Sequence, residues 1–292
     1  MKKKTRFLIL LSILVVFLLG TIKLSHGKTN QGSNIFAKSD VDANKLEKLN
    51  KVLNSEVKKY KSTNINISVK YKGKTITVTN NETAVYPTAS VVKVSIAVQI
   101  LHTYGSPNEL SDTAKNNMAL MMEQSDNNAA TWLLTEGLGS KSALKSVFNS
   151  LDMTNSVINS TYWGLTTIPA NDQIKVLDAV FNKDNSYLNS QSQEYLQNLM
   201  NNVEDEQNWG ISKGSESNNV YVKNGWLNVD SSYDPNQGSK NRQTWIINSI
   251  GHIEASDGND YNVAIMTNNN DTEESGIALV EHFGKKIHNI LK

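Results

Sequence analysis

Residues 90–93 of the chain combine two residue types that can perform nucleophilic catalysis. In Ser90-Val91-Val92-Lys93 the serine and the lysine are three positions apart. On a helix this spacing places both side chains on one face. Desolvation among apolar neighbours lowers the pKa of a lysine, so that its neutral amine can act as a base towards the serine. The backbone N–H of a first-turn serine also points out of the helix terminus, where it can stabilise an oxyanion.

The pattern Ser125-Asp126-Asn127 offers a second hydroxyl, although it also has a simple structural interpretation. It follows one predicted helix and begins another. Ser, Asp and Asn are preferred N-cap residues, so capping alone explains the pattern when it stands by itself.

Lys223-Asn224-Gly225 follows the short apolar run at residues 220–222 and is the only Lys-x-Gly in the chain. A glycine on a strand allows a ligand to approach the backbone closely. The lysine offers a positive charge to a carboxylate. In isolation, however, the pattern also describes the end of a strand and a turn.

Hydrophobic periodicity predicts the elements that must position these three patterns. The predicted helices cover residues 44–61, 90–102, most of 109–181, and 273–290. The predicted strands cover residues 65–69, 75–78, 220–222, 244–253 and 261–267. Because strands and helices are segregated along the chain, we predict an α+β fold. Its antiparallel sheet is flanked by helices and carries an inserted all-helical subdomain.

The N-terminal residues have the composition of an export segment. Basic residues at positions 2–4 and 6 precede an apolar run over residues 7–19. The run is short for a spanning helix, and no clear small-residue cleavage site follows it. A cleaved signal peptide and an uncleaved membrane anchor therefore both remain open for residues 1–26. Either interpretation places the rest of the chain outside the cell, as a secreted protein or at the outer face of the membrane.

The remaining sequence divides into a polar segment and one large domain. Residues 27–43 show no sustained period and predict a flexible tether, and residues 44–292 predict the catalytic domain. The net charge of +1 argues against nucleic acid as a partner. The absence of cysteine excludes a disulfide framework, a thiol nucleophile and a thiolate metal site. The five histidines show no metal-ligand motif, so we expect no metal and no other cofactor.

Together and in this order, the three patterns resemble class A β-lactamases, within the superfamily of β-lactamases and penicillin-binding proteins. The resemblance covers nearly all of residues 44–292. The segments that carry it are Tyr86-Pro87-x-x-Ser90-x-x-Lys93, residues 125–130, Thr166-Thr167-Ile168-Pro169-Ala170, Lys223-Asn224-Gly225, and the strand that begins Trp245-Ile246-Ile247.

The resemblance implies a role for each matching polar residue. Ser90 is the nucleophile that becomes acylated, and Lys93 is its base or part of its proton relay. Ser125 passes the proton to the leaving nitrogen. Lys223 holds Ser125 and the substrate carboxylate, while Asn127 hydrogen-bonds the side-chain amide of the substrate.

Further substrate-binding residues follow from the same resemblance. The backbone N–H groups of Ser90 and Trp226 form the implied oxyanion hole, and Asn224 and Gly225 belong to the same strand. Arg242 lies at the usual position of an arginine in this family and is a candidate anchor for a substrate carboxylate. A solvated arginine at the start of a strand is the alternative.

The chain departs from class A enzymes in the loop before Thr166. These enzymes carry a glutamate there that activates the deacylating water, but residues 156–165 contain neither Glu nor Asp. Asp172 is a candidate substitute or an ordinary acid in the first turn of a helix. Asn224 also stands where Thr or Ser is usual.

Two functions follow from this mixture of matches and departures. The first is a serine acyl-enzyme hydrolase that acts on β-lactam amides or on acyl-D-alanyl-D-alanine-like wall peptides. The second is a non-catalytic or slowly acylated protein of the same fold that binds the cell wall or senses β-lactams.

Overall fold

The computed structural model describes residues 31–215, 217, 219–230, 243–255 and 258–292. The chain divides into two compact units, residues 1–39 and residues 40–292. The predicted export segment lies outside the described residues. Within the described part of the chain, no helix has both the length and the apolar character needed to cross a membrane.

The second unit is built around a five-stranded antiparallel sheet. Its strands are β1 (Asn64–Tyr71), β2 (Lys74–Thr79), β3 (Asn219–Asp230), β4 (Gln243–Glu254) and β5 (Tyr261–Asn270), in the order β2-β1-β5-β4-β3. Lys72 and Gly73, both with positive φ, form the tight turn between β1 and β2. The α+β class and the antiparallel sheet are therefore confirmed.

The helices flank this sheet as the sequence predicts. They are α1 (Gln31–Val57), α2 (Val92–Tyr104), α3 (Asp112–Glu123), α4 (Asn127–Trp132), α5 (Leu144–Ser150), α6 (Ala170–Phe181), α7 (Ser190–Asn201), α8 (Ile211–Ser215) and α9 (Glu273–Leu291). Helices α2 to α8 lie between β2 and β3 in the chain, which confirms the helical insertion.

Two hydrophobic cores lie on opposite faces of the sheet. All ten residues of β5 are buried, and successive side chains on a strand point to opposite faces. Val263 and Ile265 therefore join the core formed with α1 and α9, whereas Ala264 and Met266 join the core of the helical insertion. The central strand thus contributes to both cores, and the helical insertion packs directly on the sheet.

Helix α1 begins at Gln31, well before the predicted start near residue 44. It therefore runs through residues 31–43, most of the segment that the sequence predicts as a tether. The segment lacks proline, and a polar stretch can continue a helix without an apolar period of its own. The division into export segment, tether and catalytic domain stays a prediction.

Two boundary differences affect the site directly. Helix α2 begins at Val92, and Ser90 lies just before it in a single 3₁₀ turn, Ala89–Val91. Strand β3 does not end after Val222 but continues to Asp230, because its second half pairs with the start of β4. The Lys223 motif consequently lies inside an edge strand.

Candidate active site

Ser90 lies where the helical insertion meets the sheet. The preceding residue, Ala89, has a φ of +47°, a conformation that is costly for a residue with a Cβ and that clusters at functional sites. The turn is held from the sheet by Asn248 on β4, whose amide nitrogen donates to the carbonyls of Pro87 and Thr88 at 2.9 and 3.0 Å. The half-buried Ser90 hydroxyl is thereby fixed at the start of α2.

Lys93 is the second residue of α2, three positions after Ser90, and has no exposed surface. Its Nζ lies 3.0 Å from Ser90 Oγ, 2.6 Å from the carbonyl oxygen of Ser125, and 2.8 Å from Asn127 Oδ1. Burial lowers the pKa of Lys93 to about 7, against a smaller opposing effect of the Asp126 carboxylate. Near neutral pH, a substantial fraction of this amine is therefore unprotonated beside the serine.

Ser125 provides the second hydroxyl of the site. It has a φ of +58°, and the next residue, Asp126, caps α4 by accepting a hydrogen bond from Ala129 N at 2.6 Å. Ser125 Oγ lies 3.1 Å from Lys93 Nζ and 2.8 Å from Lys223 Nζ. Capping and site formation are thus combined in one motif, and neither interpretation of the sequence excludes the other.

Lys223 approaches Ser125 from the edge strand β3. The side chain is 1% exposed, and its Nζ also donates to the carbonyl oxygen of Asn224 at 3.2 Å. Burial, followed by the nearby charge of Lys93, holds the pKa of Lys223 well below its usual range. Two lysines therefore meet at one serine hydroxyl in a water-poor environment.

Gly225 is required by the close approach of β3 to the Ser90 turn. A Cβ at this position would lie 2.7 Å from the Ser90 nitrogen and 2.8 Å from the Val91 nitrogen. The Trp226 backbone follows directly on the same strand. The geometry thus places this part of the strand beside the N–H of Ser90, as an oxyanion hole requires.

Asn127 and Asn224, two predicted substrate-binding residues, differ in placement. Asn127 is exposed at the start of α4 and lines a cleft of about 570 Å³ beside the site. The buried Asn224 side chain instead donates to the carbonyls of Gln207 and Trp209 at 2.8 and 2.9 Å. It thus braces the 207–209 segment behind the strand. Arg242 lies outside the described residues.

Asp172 holds the start of the loop that lacks a glutamate. Its carboxylate accepts hydrogen bonds from the Asn155 nitrogen and from Ser156 Oγ at 3.1 and 2.9 Å, and it pairs with Lys175 at 2.9 Å. The residue is fully buried in the first turn of α6. These contacts favour the structural interpretation of Asp172 over a role as a base.

Two residues of the site were not predicted from the sequence. Asn248 is a fully buried amide on β4, but the neighbouring Ser249 is also polar and buried, so no local pattern marks its positioning role. Trp163 packs its ring over Lys93, with 5.2 Å between the ring centroid and Nζ. Its position in an irregular loop provides no periodic signal.

The site as a whole contains the groups that acyl transfer to a serine requires. A hydroxyl lies beside a desolvated amine, a second hydroxyl is shared by two lysines, and backbone N–H groups are available for an oxyanion. An antiparallel sheet with a helical insertion and this cluster at their junction is the architecture of the β-lactamase-like serine hydrolase fold. The chain belongs to the beta-lactamase enzyme family, whose model matches residues 105–291. That range contains Ser125 and Lys223 and begins after Ser90 and Lys93.

Solved structures show the same fold at low sequence identity. A class A beta-lactamase from Bacteroides cellulosilyticus DSM 14838 has a TM-score of 0.67 and 14% identity, covering 84% of this chain and 97% of that chain. PBP-A has a TM-score of 0.65 and 16% identity, covering 83% and 95%. A mutant of PBP-A, solved as an acyl-enzyme complex with penicillin G, gives a TM-score of 0.65 and 16% identity, covering 84% and 96%. No curated protein matches the sequence significantly.

Proposed function

We propose that the protein is a serine acyl-enzyme that reacts with β-lactam amides or acyl-D-alanyl-D-alanine-like wall peptides through Ser90. The observation that carries this proposal is the 3.0 Å contact between Ser90 Oγ and the fully buried Lys93 Nζ. A buried amine with a pKa of about 7 can accept the serine proton as the bond to carbon forms.

Acylation then proceeds through groups that are already in contact. Ser90 Oγ adds to the carbonyl carbon, and the oxyanion accepts hydrogen bonds from the backbone N–H groups of Ser90 and Trp226. The C–N bond breaks as Ser125 Oγ gives its proton to the leaving nitrogen. The amines of Lys93 and Lys223, at 3.1 and 2.8 Å from that oxygen, support the proton transfer. The product is an ester on Ser90.

The cleft beside Asn127 supports a substrate with a substantial acyl side chain. The cleft has a volume of about 570 Å³ and lies between the 161–165 turn and the end of β3. Leu227, Val229 and Trp163 provide apolar surface, while Asn127 offers an amide. PBP-A, which shares the fold, forms an acyl-enzyme with penicillin G in mutant form. Both β-lactams and wall peptides present a side chain next to the reactive amide.

The second candidate, a non-catalytic or slowly acylated protein of the same fold that binds the cell wall or senses β-lactams, is favoured by one specific feature. The loop at residues 156–165 has no carboxylate that would activate water. Without such a group, hydrolysis of the Ser90 ester lacks the base that class A enzymes provide, and a long-lived ester suits sensing better than drug destruction.

The decisive experiment follows the intact mass of the purified full-length protein with penicillin G over time, beside Ser90→Ala. We expect an adduct of one penicillin on the wild type and none on the variant. An adduct that appears and disappears with turnover identifies a β-lactamase. The absence of any adduct, with wall peptides tested in the same way, overturns the acyl-enzyme proposal in favour of a binding protein.

We also propose that the protein acts outside the cell. The basic residues at positions 2–4 and 6, followed by the apolar run at 7–19, support export, and cell-wall peptides are found there. Protease added to intact cells should degrade the domain at residues 44–292. Complete protection, with degradation after lysis, contradicts this location.

A further inference from the structure

Trp163 is an aromatic residue at the site that the acylation steps do not use. It begins a single 3₁₀ turn, Trp163–Leu165, within the loop that lacks a glutamate. The 5.2 Å separation between its ring centroid and Lys93 Nζ is within the range of a cation–π contact. The same ring also occupies space beside the amine that water would otherwise fill.

One hydrogen bond holds the indole itself, and two more hold the loop that carries it. Its Nε1 donates to Thr131 Oγ1 on α4 at 3.2 Å. On the other side, Thr88 donates from its nitrogen to the Thr166 carbonyl at 2.9 Å and from its hydroxyl to the Gly164 carbonyl at 3.4 Å. The loop is thereby attached both to α4 and to the segment just before Ser90. The ring is consequently fixed over the lysine.

The other contacts of Lys93 leave little room for a solvent molecule. Its Nζ is within hydrogen-bond distance of Ser90 Oγ, both oxygens of Ser125, and Asn127 Oδ1. The side chain has no exposed surface. Trp163 covers the amine in addition to these four oxygen atoms.

Hydrolysis of an acyl-serine requires a water molecule next to a base. The water oxygen adds to the ester carbonyl carbon while its proton goes to the base. The bond between that carbon and Ser90 Oγ then breaks, Ser90 recovers a proton, and a carboxylic acid leaves. Since residues 156–165 provide no carboxylate, the neutral amine of Lys93 is the base nearest to the ester.

We propose that Trp163 is a positioning residue that excludes the hydrolytic water from Lys93 and thereby prolongs the life of the Ser90 ester. This inference rests on the proposed function, because it concerns the ester that Ser90 forms. It adds a second cause of slow ester hydrolysis. Besides lacking a glutamate, the loop places an aromatic side chain over the base.

The test compares acylation and release in the full-length protein with penicillin G as the probe. Intact-mass time courses give the rate constant of adduct formation and, after removal of free drug, of adduct loss. For Trp163→Ala we expect adduct loss about tenfold faster or more, with formation within about threefold of wild type. Trp163→Phe, which keeps an apolar ring, should restore a lifetime close to that of the wild type.

Val157→Ala is the matched control, because Val157 lies in the same loop, is 66% exposed, and is not among the residues that line the cleft. It should leave the lifetime unchanged. Trp163→Leu is measured in parallel: if Trp163→Ala does not fold, a lifetime about threefold or more shorter for Leu than for Phe supports the proposal.

The outcomes separate the two proposals. Equal lifetimes for the wild type and for the folded Ala or Leu variant overturn the role of Trp163 and leave the acyl-enzyme intact. Rapid adduct loss in the wild type also overturns the role of Trp163, because the ester is then not long-lived, and it leaves the acyl-enzyme intact. No adduct on the wild type overturns the proposed function and this inference with it.

Discussion

Lys93 and Lys223 meet at a single oxygen atom: their Nζ atoms lie 3.1 and 2.8 Å from Ser125 Oγ. They come from α2 and from β3, so this contact joins the helical insertion to the sheet. Two ammonium groups this close and this deeply buried repel each other, which favours the neutral form of at least one. An uncharged amine is what the proposed role of Ser90 as nucleophile requires.

The first prediction concerns the pH dependence of acylation. Burial lowers the pKa of Lys93 to about 7, so the neutral amine becomes more abundant as the pH rises through 7. The rate constant for adduct formation should therefore rise about tenfold between about pH 6 and about pH 8. Quenched-flow mixing followed by intact-mass measurement gives this rate constant. A rate that is flat over this interval, in a protein that stays folded, contradicts the assignment of Lys93 as the base.

The second prediction concerns Gly225. Gly225→Ala places a Cβ 2.7 and 2.8 Å from the nitrogens of Ser90 and Val91, so β3 and the turn must move apart. We expect acylation to fall about tenfold or more, and the free energy of unfolding to fall by about 1–3 kcal/mol. Gly139→Ala is the control, because Gly139 has a φ of +69° and a Cβ there meets no atom within 4 Å. It should cost stability alone, and an equal loss of acylation in both variants argues against a specific role for Gly225.

The third prediction concerns Asn248. Asn248→Ala removes the donor to the Pro87 and Thr88 carbonyls and the acceptor for the Thr267 nitrogen at 2.9 Å. Leaving such buried groups unpaired should cost about 3 kcal/mol of unfolding free energy or more, and the loosened turn should slow acylation. Denaturant unfolding and adduct formation measure the two effects.

The control for this variant is Asn262→Ala, a buried asparagine on β5 that pairs with His252. It should lower stability while acylation stays near the wild-type rate. If the Asn248 variant acylates as fast as this control, the amide does not position Ser90.

The fourth prediction separates Asn224 from its neighbour Lys223. Asn224→Ala loses two hydrogen bonds to the 207–209 segment, which should cost about 1–3 kcal/mol of stability. Acylation should stay within about threefold of wild type. Lys223→Met should instead reduce acylation about a hundredfold or more. A large loss of acylation in a fully stable Asn224 variant would show that this side chain does contribute to substrate binding.

Much of the architecture was predictable because its signals are local. Alternation marked β1 and β2, strand-forming runs marked β4 and β5, and uninterrupted apolar sequence marked α2, while the order of these elements gave the helical insertion. The three polar patterns also fall on the turn, helix start and strand that join at one place. The contact at Ser125 was therefore foreseeable as a meeting of motifs, although its distances were not.

Helix α7 shows where the local signal fails. Its sequence is largely Ser, Gln and Asn, and only Leu196, Leu199 and Met200 mark a buried face. Polar residues share that face, since the buried Gln193 donates to the carbonyls of Ala179 and Asn182 at 3.0 Å. A long-range partner satisfies the side chain, and such partners leave no trace in the periodicity.

Trp163 and Asn248 were missed for a related reason. Each acts on a residue more than 60 positions away in sequence, Lys93 for the tryptophan and Thr88 or Pro87 for the asparagine. No spacing rule links an irregular loop to the face of a helix behind it. Only the folded chain shows which lysine the indole covers.

The pairing of β1 with β5 has a consequence for how the molecule forms. Asn64 lies opposite Asn268, so the central part of the sheet closes only when residues about 200 positions apart meet. Contacts of such large sequence separation slow folding, because the entropy of loop closure is lost before the contacts form. A chain still emerging from the ribosome has no β5 to complete its sheet. The sheet that carries Lys223 is therefore complete only after β5 has been synthesised.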